Sequence, residues 1–230
     1  MLDFSRPGAH KPEPMTIAVK ICGLTSVQAV DGAADAGAAF GGLVFHRRSP
    51  RFVGADMARA LAERMRGRLK IVALTADMDD AELAGIVNDI RPDYLQLHGA
   101  EDVARTAQIR ARFGLPVIKA LAVAESADLD AAAEFGKVAD VLLFDARAPE
   151  SADRRGGHGA AFDWKILSGR SFAKPWFLAG GLTPDNVTRA IQLSGARFVD
   201  VSSGVESAPG VKDPARIAAF IAATHPQVAA

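Results

Sequence analysis

The chain has 230 residues, with 27 Lys+Arg balancing 27 Asp+Glu, and is 49% hydrophobic but only 7% aromatic. Neutrality argues against an extended nucleic-acid or membrane surface, no apolar run reaches the roughly 18 residues of a membrane span, and a single cysteine, Cys22, excludes an internal disulfide and a multi-cysteine metal site. What is left is a cytosolic (cytoplasmic), globular protein whose core is filled by Ala, Val, Leu and Gly.

Residues 1–15 carry Pro7, Gly8, Pro12 and Pro14 and show neither periodicity nor the apolar block of a signal peptide; they read as a disordered arm or a tag, and residues 16–230 as one folded domain. From there β-rich runs alternate with stretches of helical spacing. Strands are expected at Ile17–Cys22, Ala39–Phe45, Leu69–Thr75, Tyr94–His98, Val117–Leu121, Val141–Asp145, Trp176–Ala179 and Phe198–Ser202. Each is short and largely apolar, as parallel strands buried on both faces should be. Between them Met57, Leu61 and Met65, then Leu83, Ile86, Val87 and Ile90, then Ile217, Phe220 and Ile221 fall on single helix faces, while Thr183-Pro184 and Asp213-Pro214 are helix-start signals. Eight strand–helix units of roughly 27 residues, with no G-x-G-x-x-G after the first strand, favour an α/β chain folded as a (β/α)8 TIM barrel over an open doubly wound sheet.

Alternate strand residues of a barrel face its interior. Ile17, Val19 and Ile21 form one apolar set expected to face the helices, which turns Ala18, Lys20 and Cys22 inward. By the same parity Gln96 and His98, Val141, Leu143 and Asp145, and Asp200 and Ser202 face inward. The first and last strands become neighbours on closure. Lys20 and Asp200 each stand two residues before their strand's end, so they are expected to pair below the mouth, where a lone charge would be costly.

Active sites of such barrels lie at the C-terminal strand ends. L-A-G-G-L-T-P-D-N-V after the seventh strand and V-D-V-S-S-G-V-E after the start of the eighth offer glycine-rich backbone to an anion, and a short helix after the eighth strand would point its positive end there. Gly180, Gly181, Ser202, Ser203 and Gly204 are therefore phosphate-binding candidates. Cys22 at the mouth is either an inert small hydrophobe or, as a thiolate, a base or nucleophile helped by Lys20. Asp145 ends an apolar strand and can serve as an acid if partial burial keeps it protonated. A thiol base and a carboxylic acid on opposite sides of one mouth suit a proton-shuffling isomerisation that needs no cofactor. His98 is a substrate contact or a satisfied rim histidine, and His46 and His158 read as solvated loop residues. No His or carboxylate pair has metal-ligand spacing. Arg47, Arg48 and Arg51 follow the second strand; Arg51 lies past Pro50, where a loop folded over the mouth would let the guanidinium grip a substrate carboxylate bidentately.

As a set, V-K-I-C-G-L-T, F-H-R-R-S-P-R-F-V, L-Q-L-H-G, I-K-A-L, L-L-F-D-A, G-G-H-G-A-A-F-D-W, L-A-G-G-L-T-P-D-N-V and V-D-V-S-S-G-V-E-S-A-P-G-V-K-D closely resemble the phosphoribosylanthranilate isomerase family, in family order, from about Thr16 to the last helix. The resemblance implies a step of tryptophan biosynthesis, the Amadori rearrangement of N-(5-phosphoribosyl)anthranilate to 1-(2-carboxyphenylamino)-1-deoxyribulose 5-phosphate, without cofactor or metal. It implies Cys22 as the base that takes the sugar C2 proton, Asp145 as the acid that protonates the ring oxygen, Arg51 as the holder of the anthranilate carboxylate and the two glycine loops as the phosphate site. Ala73–Asp77 departs from the V-F-V-N common after the third strand, and Ala160 and Ala161 replace a polar pair that many members carry. Those departures touch rim packing and loop contacts.

Other barrels fit less well. A related indole-glycerol-phosphate synthase would want Lys and Glu at strand ends, and a histidine-pathway isomerase two aspartates and two phosphate sites. A non-catalytic barrel that binds a phosphorylated metabolite would not need both Cys22 and Asp145. A redox role for Cys22 would predict oxidation-sensitive activity without turnover of the anthranilate substrate. The expected partner is a small phosphosugar, not nucleic acid or membrane, and the chain is a monomer or a homodimer.

Overall fold

The computed structural model describes residues 16–147 and 161–225. The expectations for the arm over residues 1–15, for His158 and for most of the loop that carries Ala160 fall outside them. Eight parallel strands close a barrel in sequence order: β1 (Ala18–Cys22), β2 (Phe40–Val44), β3 (Lys70–Thr75), β4 (Tyr94–Leu97), β5 (Val117–Val123), β6 (Val141–Ala146), β7 (Trp176–Leu178) and β8 (Phe198–Val201). Around them lie α1 (Val27–Asp35), α2 (Ala55–Met65), α3 (Asp80–Ile90), α4 (Val103–Phe113), α5 (Ala131–Val138), α6 (Val187–Ser194) and α7 (Pro214–Thr224). After β6, the described residues supply a 3-10 turn, Trp164–Leu167, in place of an α-helix. No helix among them is long and apolar enough to cross a membrane.

The expected strand parity holds. Ile17, Val19, Ile21, Leu95, Leu97, Leu142, Phe144, Val199 and Val201 pack between strands and helices, whereas Val141 and Leu143 join Phe40, Val72, Ile118 and Phe177 inside the barrel. Four aromatic rings, those of Phe40, Tyr94, Phe177 and Phe198, lie inside the barrel. Phe40 meets Tyr94 and Phe177 edge-on at centroid separations of 5.8 and 5.3 Å, and Phe177 meets Phe198 at 5.4 Å. These rings plug the N-terminal end and leave the other end for chemistry.

Lys20 and Asp200 are direct neighbours in the β1–β8 ladder, and Lys20 Nζ donates to Asp200 Oδ1 at 2.8 Å with the lysine wholly buried. The helical layer closes at the same seam: a Cβ on Gly32 of α1 would lie 2.9 Å from Pro214 Cβ at the start of α7. Asp213 caps α7 by accepting from the N–H groups of Ala215 and Arg216, as its sequence signal predicts.

Two local expectations are corrected and one element is added. Met57 is 48% exposed, because α2 turns Ala58, Leu61, Ala62 and Met65 to the core; the small alanines draw the buried face away from Met57. Thr183-Pro184 does not begin a helix. Asn186 folds its side chain back, accepting from Thr183 N–H and donating to Gly181 O, both at 2.8 Å, and α6 begins only at Val187. Beyond β8 the chain forms an unexpected hairpin of β9 (Glu206–Ala208) and β10 (Val211–Lys212).

Removing one partner of a buried pair strands the other charge and typically costs about 3–5 kcal/mol. Lys20→Met is expected to destabilise the chain by about that much in urea denaturation, and Lys20→Met/Asp200→Leu to recover most of the loss.

Candidate active site

β1 delivers Cys22 to the barrel mouth one inward position above Lys20. The glycine opposite it makes the room: a Cβ on Gly42 of β2 would lie 3.3 Å from both Cys22 Sγ and Lys20 Cε. Cys22 is 5% exposed. Burial pushes its thiol up; Lys20 and, more weakly, Lys212 oppose that, and Asp200 adds to it. Burial works to lower the Lys20 ammonium, but the charge of Asp200, with help from Cys22, outweighs it and holds Lys20 above its ordinary value. The lysine under the sulfur is therefore a fixed cation.

Asp145 lies near the end of β6, three strands from β1 by way of β8 and β7, and its side chain is 14% exposed. His98 comes to it from beyond the end of β4, with Nε2 3.3 Å from Asp145 Oδ2. The other ring nitrogen, Nδ1, lies 3.1 Å from the carboxamide Nε2 of Gln96. His98 is thus tied into the mouth on both sides, a relation that strand parity allowed but could not specify.

The two glycine loops converge as expected. A Cβ on Gly204 would fall 1.9 Å from Leu182 O, and one on Gly180 would fall 2.5 Å from Ala146 N, so each glycine is required by close backbone approach. Gly180 and Gly181 also have φ of +85° and +64°. A 3-10 turn, Ser203–Val205, follows β8 where a short helix was expected. The Ser202 hydroxyl donates to Cys22 O at 3.0 Å and accepts from Lys212 Nζ at 3.3 Å, so it ties β8 to β1.

Arg51 has a partner that the sequence did not show. Its Nε and Nη2 grip Glu206 Oε1 and Oε2 at 2.7 and 2.8 Å, so one edge of the guanidinium is used within the chain, while the edge formed by Nη1 and the second Nη2 hydrogen takes no part in that contact. Lys212 Nζ bonds the same Glu206 at 2.5 Å. Burial would raise the Glu206 carboxyl, but Arg51 and Lys212 together hold it below its ordinary value. Burial holds Lys212 below its ordinary value against the pull of Glu206. Neither Glu206 nor Lys212 stood out in the sequence; the spacing of Glu206 from Arg51, 155 residues, carries no local signal. Arg47 and Arg48 are exposed, with Arg47 over the Phe52 ring, and His46 is half-buried.

Another buried ion pair lies outside the barrel wall. Lys119 of β5 faces the helices and bonds Glu101 Oε2 and Gly99 O, each at 2.9 Å. Glu101 also accepts from Asp77 N–H at 2.8 Å and Gly99 N–H at 2.9 Å, binding together the loops after β3 and β4. Burial works against the ionised Glu101, yet Lys119 and these donors hold it below the ordinary carboxylate value. Among the described residues there is no cluster of three or more His, Cys, Asp or Glu that could hold a metal ion.

The family model described as N-(5'-phosphoribosyl)anthranilate (PRA) isomerase matches residues 19–223. The N-(5'-phosphoribosyl)anthranilate isomerase of Paracoccus denitrificans is 53% identical over 213 residues, which cover 92% of this chain and 99% of that protein. The crystal structure of the phosphoribosyl anthranilate isomerase of Thermotoga maritima matches with a TM-score of 0.81 at 32% identity, over 90% of this chain and 98% of that one. A crystal structure of a phosphoribosyl anthranilate isomerase in complex with reduced 1-(o-carboxyphenylamino)-1-deoxyribulose 5-phosphate matches with a TM-score of 0.76 at 28% identity, over 90% of this chain and 97% of that one.

Because Cys22 is the chain's one cysteine, its titration can be read by mass. Alkylation by iodoacetamide requires the thiolate, and burial holds the Cys22 thiol up. In pH-stepped alkylation, the rate is expected to keep climbing where a free thiol, with a value of about 8.5, has levelled off.

Proposed function

The chain belongs to the N-(5'-phosphoribosyl)anthranilate isomerase family, and on that premise we propose Cys22 and Asp145 as its general base and general acid. The reaction is the Amadori rearrangement of N-(5-phosphoribosyl)anthranilate to 1-(2-carboxyphenylamino)-1-deoxyribulose 5-phosphate, a step of tryptophan biosynthesis. The observation that carries the residue assignment is the placement of a buried thiol beside a fixed lysine cation on one wall, with a histidine-linked carboxyl on another.

Asp145 protonates the furanose ring oxygen as the bond from that oxygen to C1 breaks, and the anthranilate nitrogen lone pair forms the C1=N bond. The Cys22 thiolate then takes the C2 proton. The C2–H electrons form a C1=C2 bond, and the C1=N electrons return to nitrogen. The resulting enaminol tautomerises to the aminoketose. A thiol held up by burial is a strong base once ionised, and Lys20 below it stabilises the thiolate without giving up its own charge.

The cradle for the ribose phosphate is the backbone of Gly180, Gly181, Ser203 and Gly204; close backbone approach leaves no room for a side chain at Gly180 or Gly204, and Gly181 has a positive φ. Ser202 closes its floor through the Cys22 carbonyl. Arg51 receives the anthranilate carboxylate on Nη1, with Glu206 fixing the plane of the guanidinium. His98 contacts substrate beside Asp145. All these groups come from one chain, so a homodimer would repeat the site and a monomer would contain it whole. A charged phosphosugar does not cross a membrane unaided, which supports a cytoplasmic location for the reaction.

General acid–base groups contribute about 10²–10⁴-fold each. The loss of phosphoribosylanthranilate fluorescence is expected to show turnover by the wild type and a kcat lowered by about that range in Cys22→Ser and in Asp145→Asn. Near-wild-type rates in both variants would refute the assigned roles.

A further inference from the structure

Gln96 is wholly buried in β4 and belongs to none of the groups assigned above. Its carboxamide Nε2 sits 3.1 Å from His98 Nδ1, and its Oε1 has no hydrogen-bond partner among the described residues. The orientation of the amide decides the proton position on His98. With Nε2 toward the ring, Nδ1 must be the acceptor and the ring hydrogen must sit on the other nitrogen. Turning the amide over would place two N–H donors where Oε1 now lies, and a buried orphan N–H is rarer and costlier than an under-used carbonyl oxygen. The observed orientation is therefore the better one. It leaves His98 with Nε2–H, 3.3 Å from Asp145 Oδ2, close enough for a small side-chain rotation to make a full hydrogen bond. The ring's height is set separately, by His98 N–H donating to Thr75 O at 2.9 Å.

We propose that Gln96 is a positioning residue that holds His98 as the Nε2–H tautomer, aimed at Asp145 Oδ2. This rests on Asp145 as the acid. Oδ2 of the neutral carboxyl accepts from His98, which leaves the proton on Oδ1 to be delivered to the ring oxygen. As it leaves, the new carboxylate finds a donor already in place, so the charge develops against a fixed N–H. The reverse tautomer would present a lone pair to Oδ2 and hold the acidic proton on the wrong side of the carboxyl.

The test is nitrogen NMR of the full chain labelled with 15N-histidine, with His98 assigned by the loss of its signals in His98→Asn. The wild type is expected to show a protonated Nε2 and a bare Nδ1. Gln96→Met, similar in size but with no donor, is expected to mix the tautomers and lower kcat by about 10- to 100-fold, a share of the roughly 10²–10⁴ that a general acid contributes, with KM changed little. Gln96→Glu is expected to reverse the pattern to Nδ1–H or the doubly protonated ring. A wild-type ring carrying its hydrogen on Nδ1 overturns the proposal and needs no variant to fold. So does a Gln96→Met protein with unchanged tautomer and kcat. Full activity in Asp145→Asn overturns the acid role on which the proposal rests, while the nitrogen pattern reports separately on the Gln96 contact.

Discussion

The buried ion pair between Lys20 and Asp200 is the constraint around which the rest of the molecule is arranged. It occupies the seam where the last strand meets the first, at 2.8 Å, with the lysine out of contact with water. A lone charge there would be prohibitive, so the pair rewards closure of β1 against β8 in one register and penalises any slip. Aromatic rings fill the barrel beneath it, and the thiol sits above it. Because the pair is neutral as a unit, Lys20 steadies a thiolate without making the whole mouth strongly basic. That fits the role proposed for Cys22, a base that is scarce in the resting site and strong once formed.

A different economy governs the rim. Glu206 is shared between Arg51 and Lys212, one carboxylate between two cations. The surplus positive charge has nowhere to go within the triad, and it lies beside the mouth that receives a phosphate and a carboxylate. Local neutrality would have bound such a substrate less well, whereas an excess confined to one end leaves the formal charge of the chain at zero.

Much of this was legible in the residues. Period-two alternation placed Lys20, Cys22, Gln96, His98, Asp145 and Asp200 inward, because the buried outer layer demands apolar side chains at every other strand position. The Lys20–Asp200 contact followed from barrel closure alone. What was not legible depends on contacts between distant segments or on the absence of a side chain. Glu206 claims one edge of Arg51 from far along the chain, and Gly42 matters only for the space it leaves. Lys119 breaks the outward apolar pattern, and only Glu101, held under the helices, explains why that is tolerated. The start of α6 was misplaced because Asn186 acts through its tertiary bonds to Gly181 and Thr183 and not as a local propensity signal.

The seam has a consequence for how the barrel divides. Cys22, Arg51 and His98 belong to the first four strand–helix units, while Asp145, the glycine loops, Asp200 and Glu206 belong to the last four. Three partnerships are split between the halves: thiol and carboxyl, lysine and aspartate, guanidinium and glutamate. A half-barrel would therefore lack one of the two proposed proton-transfer groups and would leave Lys20 or Asp200 without its partner. Completing the ring and completing the catalyst are one event, and turnover itself reports that the two halves have met.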